Sequence, residues 1–201
     1  MEVATYYGPD TYGQEVRLPS VSRKKVPPVP KASDWKVRVY STSYSPFQRV
    51  PDVSHMNFVG QASVKYICFR SLNEIRRIVP NTPGSKYAWQ IYGKVRVRHG
   101  GDYSFCTESD DGSKIYLEKK LIVDNDGLHG ALKRCGRVHL NPGLHDLVLV
   151  GFQNYGGIYQ DLTYSGPDTG NHEIYVKSES SSNAPSNVNG KEGEFGTWPP
   201  R

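Results

Sequence analysis

Along the run AWQIYGKVRVR, Trp89, Ile91, Val95 and Val97 fall on one side, and Gln90, Tyr92, Lys94, Arg96 and Arg98 on the other. A period of two sustained over this length belongs to a β-strand with one apolar face, because a helix would scatter the same residues around its circumference. The expected strand is half-buried and carries a basic stripe as its outer edge. WKVRVY, from Trp35, repeats the pattern. So do VKYICF (64–69), YSFCT, KIYL, LIVD, GRVHL, HDLVLVGF, IYQDLTY and EIYVK, separated by turn-formers such as His99-Gly100-Gly101-Asp102 and Asn141-Pro142-Gly143. SLNEIRRI (71–78) breaks the pattern, and Ser71 with Glu74 fits a capping box over a short helical turn. About nine or ten short strands at regular spacing predict an all-β chain folded as an antiparallel β-sandwich.

The chain has 201 residues, enough for one domain with appended tails. Residues 1–33 form an expected Pro/Tyr-rich extended arm: prolines fix φ and remove donors, so Val26-Pro27-Pro28-Val29-Pro30 should be polyproline-like. Residues 34–177 form the expected sandwich, and 178–201 a low-complexity Ser/Asn/Gly tail that ends near Trp198. Mean hydropathy is −0.60. The longest apolar run, near Leu147–Val150, falls far short of the roughly 20 residues a membrane helix needs. The first residues contain no apolar stretch of signal-peptide length, so the expected location is the cytoplasm.

A net charge of +5 favours acidic partners. No phosphate loop, zinc finger or paired aromatic ribonucleoprotein motif points to nucleic acid, and solvated surface charge is the simpler account. The odd count of three cysteines, Cys68, Cys106 and Cys135, predicts free thiols. No CxxC or Cys/His spacing suggests structural zinc. His129, His139 and His145 have no carboxylate or serine partner by spacing, so no catalytic site is expected. Asp124-Asn125-Asp126-Gly127 begins like an EF-hand loop, but the closing glutamate is absent and a structural turn is expected.

The order GDYSFCTESDDGSKIYLEKKLIVDNDGLHG … GRVHLNPGLHDLVLVGFQNYGGIYQDLTYSGPDTG resembles the anthrax protective-antigen domain family. These β-sandwiches occur in toxins, flocculins, adhesins and glycosidases. The resemblance spans roughly Trp35 to Val176, most specifically Gly101 to Gly170, and implies the sandwich fold. In sugar-binding members, paired aspartates joined by a cis peptide hold calcium with an asparagine from a later loop, and sugar hydroxyls complete the shell. The matching positions are Asp110, Asp111 and Asn154. Calcium takes roughly six to eight oxygens, so adjacent carboxylates suit it. The alternative is that Asp110-Asp111-Gly112-Ser113 caps turn amides.

Two functions follow as expectations. In the first, a non-catalytic intracellular module docks into a larger assembly with acidic surfaces, cytoskeletal or ciliary in kind. Its contacts would be Arg23, Lys24, Lys25, Pro27, Pro28, Pro30 and Trp198. In the second, the domain is a calcium-dependent carbohydrate-binding module of lectin or adhesin type.

Overall fold

The computed structural model describes residues 34–43 and 46–179, together with the backbone of Thr5–Tyr6 (β1) and Val16–Arg17 (β2), which pair antiparallel. The expected contacts Arg23, Lys24, Lys25, Pro27, Pro28, Pro30 and Trp198 lie outside the described residues.

From Trp35 the chain runs through β3 (Trp35–Ser41), β4 (Asn57–Val64), β5 (Cys68–Phe69), α1 (Leu72–Ile78) and β6 (Tyr87–Val97). Then follow β7 (Gly101–Asp110), β8 (Ser113–Leu117), β9 (Lys120–Asn125) and β10 (Leu132–Leu140). β11 (Gly143–Gln153), β12 (Tyr159–Ser165) and β13 (Ile174–Tyr175) complete the fold. One sheet has the order β4-β3-β6-β11-β8-β9, and the other has β10-β7-β12-β13 with β5 also pairing β12. All these pairs are antiparallel, as the sequence predicts for a sandwich.

The alternation of β6 fixes its orientation. Trp89, Ile91, Val95 and Val97 are each at most 2% exposed and join one core with Trp35, Phe105, Leu147, Leu149 and Leu162. Trp35 is fully buried, and its indole N–H donates to the Val176 carbonyl at 3.0 Å. β6 is a central strand, between β3 and β11. Its basic stripe points outward and is largely neutralised. Lys94 pairs with Asp146, its register partner, and Arg96 pairs with Glu179 at 2.6 Å.

Three local expectations meet different outcomes. Ser71 caps α1 by accepting from the Glu74 amide at 3.3 Å, while the Glu74 carboxylate accepts from the Arg70 amide at 2.7 Å. VKYICF is not one strand: Val64 ends β4, and only Cys68 and Phe69 form β5. Cys106 and Cys135 are not free thiols. They stand opposite each other in the β7–β10 register and form a disulfide, leaving Cys68 free. Cysteine count and spacing carry no information about register, so the sequence could not show this pairing.

Candidate functional site

The inward side chains of β7 are Tyr103, Phe105, Thr107 and Ser109, so Asp102, Ser104, Cys106, Glu108 and Asp110 take the outward face. β7 ends at Asp110, and a cis peptide joins it to Asp111. The turn into β8 closes tightly. A Cβ on Gly112 would lie 2.7 Å from both the amide nitrogen and the carbonyl oxygen of Gly127, and 2.9 Å from Phe152, so only glycine fits there. Beneath the turn runs a buried polar chain. Trp89 donates to Gln160 (3.1 Å), Gln160 to Thr107 (2.9 Å), the Thr107 and Ser113 hydroxyls hydrogen-bond (2.9 Å), Ser113 meets Ser109 (2.8 Å), and Asn125 donates to Ser109 (3.0 Å). A buried network of this kind holds one geometry, because displacement would strand further polar groups.

Three loops converge here. Asp111 is 8% exposed, and its Oδ2 accepts from the Asn154 amide at 2.9 Å. The Asn154 side chain is engaged elsewhere: Oδ1 accepts from the Phe47 amide (2.8 Å) and Nδ2 donates to the Phe47 carbonyl (2.7 Å). The structure therefore brings Asp110, Asp111 and Asn154 together, but Asn154 serves Asp111 through its backbone while its amide oxygen clasps the loop at residue 47. In its expected role as a side-chain calcium ligand it would have to share that oxygen with the Phe47 amide. Phe47 also packs edge-on against Phe152, with ring centroids 5.7 Å apart.

Asp126 ties the same loop from the other side. It accepts from the Val50 amide at 2.7 Å and pairs with Lys114 at 2.9 Å. Burial pulls the Lys114 ammonium down, and Asp126 and Asp124 outweigh it, so its pKa stands above the ordinary value. The 124–127 segment is thus a structural turn, as expected. Asp110 is the contrasting carboxylate. Burial, and then the Asp111 charge, push its pKa upward, while His129 acts in the opposite sense. Among the described residues, its carboxylate makes no side-chain hydrogen bond or ion pair. Nearby, the Oε1 of Gln153 and the Oδ1 of Asn125 are buried without a hydrogen-bond partner among the described residues. These are hard-oxygen groups of the kind calcium takes, while among the described residues no three His, Cys, Asp or Glu side chains group as metal ligands.

Sequence reasoning missed the rim. Tyr155 is 58% exposed beside Gly156, which has a φ of 89°, and Leu128 is 50% exposed on the 126–130 loop. Tyr159 stands directly opposite Asp110 in the β7–β12 register. The only available signal was the Tyr-Gly-Gly of FQNYGG. The histidines find partners through the fold: His139 meets Asp102 at 2.8 Å and His145 meets Glu118 at 3.4 Å. His129 bridges the Gly130 and Asn125 carbonyls at 2.8 and 3.0 Å.

The sequence profile of the PA14 domain matches residues 76–144. No curated protein sequence matches the chain. Among solved structures, the PA14 sugar-binding domain from an RTX adhesin is similar, with a TM-score of 0.64 and 14% identity over 75% of this chain and 100% of that one. The PA14 domain of MpAFP antifreeze protein has a TM-score of 0.60 and 14% identity over 75% of this chain and 94% of that one. The Epithelial Adhesin 6 A domain from Candida glabrata, solved in complex with Galβ1-3GlcNAc, has a TM-score of 0.52 and 13% identity over 76% and 90%. At these identities the likeness is one of fold. Profile and fold point the same way: residues 76–144 match the PA14 domain, and the sandwich is similar in fold to solved PA14 domains, the protective-antigen β-sandwich that the Ser-Asp-Asp-Gly-Ser region resembles.

Proposed function

We propose that this chain is a carbohydrate-binding module in which Asp110 and Asp111 hold a calcium ion and the ion takes sugar hydroxyls. One observation carries the reading. Two adjacent carboxylates sit at the loop end of the sandwich, and Asp110 has no side-chain hydrogen bond or ion pair among the described residues. Paired carboxylates in this state call for a cation, and oxygen donors suit calcium. Asn154 positions Asp111 through its amide, and the Gln153 oxygen is a further donor at the same end. Tyr155, exposed on the glycine-bearing loop, offers a ring on which the C–H face of a sugar would stack.

The fold likeness to a sugar-binding domain of an RTX adhesin, and to an adhesin domain in complex with Galβ1-3GlcNAc, supports the reading. The module binds and does not catalyse. The disulfide favours an oxidising compartment over the cytoplasm first expected. Docking into an acidic assembly rests on Arg23, Lys24, Lys25 and Trp198, which lie outside the described residues.

A glycan array probed with the full chain tests the proposal. In millimolar calcium, a subset of glycans should retain the protein, and chelator or Asp111→Asn should weaken that retention by about tenfold or more. If no glycan shows calcium-dependent retention, the proposal fails.

A further inference from the structure

The outer face of the five-stranded sheet carries a polar cleft of about 270 Å³, lined by Arg70, Lys133, Tyr159, Asp161, Glu173 and Tyr175 among others, which shares Tyr159 with the rim of the carboxylate pair. We propose that this cleft is a second, metal-independent glycan site that takes one or two rings of a neutral oligosaccharide. It stands apart from the carboxylate-pair reading and survives if that pair holds no ion.

Register builds the cleft. Asp161 of β12 lies opposite Glu108 of β7 on one side and Cys68 of β5 on the other, and Lys133 of β10 lies beyond Glu108. Residues opposite one another in a ladder share a face at about 5 Å spacing, so four strands contribute one row of outward groups. In the next row, Thr163 stands opposite Tyr175, and the Cys106–Cys135 disulfide joins β7 to β10, the strands that carry Glu108 and Lys133. The walls are therefore held covalently as well as by the ladder.

Asp161 organises the interior. Its side chain is 9% exposed, and its Oδ2 accepts from Arg70 (2.9 Å), Tyr175 (3.1 Å) and Tyr159 (3.2 Å). The Arg70 guanidinium lies 4.8 Å from the centroid of the Tyr159 ring, yet the side chain remains half exposed. The other oxygen of Asp161 is buried without a hydrogen-bond partner among the described residues. At the rim, Glu173 accepts from Lys133 and Thr163 at 2.5 and 2.6 Å, and both ends of the Lys133–Glu173 pair are about 40% exposed.

Charge selects the ligand class. Two cations and three carboxylates interleave within the cleft, so a phosphate would meet Glu108, Asp161 and Glu173, and a polyamine would meet Arg70 and Lys133. A neutral polyol avoids both penalties. Its neighbouring hydroxyls donate and accept, which matches planar guanidinium and carboxylate groups that each offer two in-plane hydrogen-bond positions. Tyr159 and Tyr175 add aromatic surface for sugar C–H groups.

The test uses the full chain on an array of neutral oligosaccharides in chelator, which silences any calcium-held site. Some glycans should retain the protein. Arg70→Ala and Glu173→Ala should each weaken that retention about tenfold, while Lys36→Ala on the opposite sheet leaves it unchanged. Thermal melts identify folded variants, and if Arg70→Ala does not fold, Glu173→Ala decides alone. Absence of chelator-resistant retention overturns the proposal, and so does retention indifferent to the folded variants.

Discussion

Asp168 ties the turn between β6 and β7 to the turn that follows β12. Its carboxylate accepts from the amides of Arg98 (2.7 Å) and His99 (2.9 Å) and from the His99 ring (2.7 Å), and its side chain is 7% exposed. Burial pushes this carboxyl up, but the donors outweigh it, so its pKa lies below the ordinary aspartate value. A lowered folded pKa gives stabilisation that is complete above the unfolded value and lost as pH falls through the folded one. Asp168→Asn should therefore cost about 1–2 kcal/mol at neutral pH, and its gap from wild type should close in acid. Denaturant melts across pH check this, and a gap independent of pH would assign the loss to packing. Asp110 and Asp111 were legible in the sequence because two adjacent carboxylates before glycine are conspicuous. The duty of Asn154 was not, since the backbone it clasps at Phe47 lies 107 positions away.

At the scale of elements, period two identified strands well wherever one face is buried, as β6 and β11 show with their core rows. β4 escaped because it is an edge strand with no buried residue, so its sequence carries little apolar alternation. Pairing between strands was not legible at all, and the disulfide follows from pairing. Cys106 and Cys135 are 29 positions apart, a loop whose closure stabilises by about 2–4 kcal/mol. Cys135→Ser should lower stability by that order in denaturant melts. Alkylation of the oxidised protein under denaturing, non-reducing conditions should tag Cys68 alone. Three tagged thiols would restore the first expectation and remove the argument for an oxidising compartment.

Taken as a whole, the sandwich buries Trp35, Phe105, Leu147 and Leu149 between its sheets, and the two proposed sites lie at one loop end and on one sheet face. At the loop end, the segments around Phe47, Asp126 and Asn154 brace each other, so a cation at the carboxylate pair would bind a prepared site and stabilise the native state. A ligand present at about a hundredfold excess over its Kd adds about 2.7 kcal/mol, which a calcium-dependent rise in Tm would report. The decisive measurement is calorimetric titration of calcium into chelator-treated full-length protein, wild type beside Asp111→Asn. The account predicts one saturable binding event per chain in the wild type and its loss in the variant. A wild type that takes up no calcium would contradict it, leaving the aspartates as turn residues.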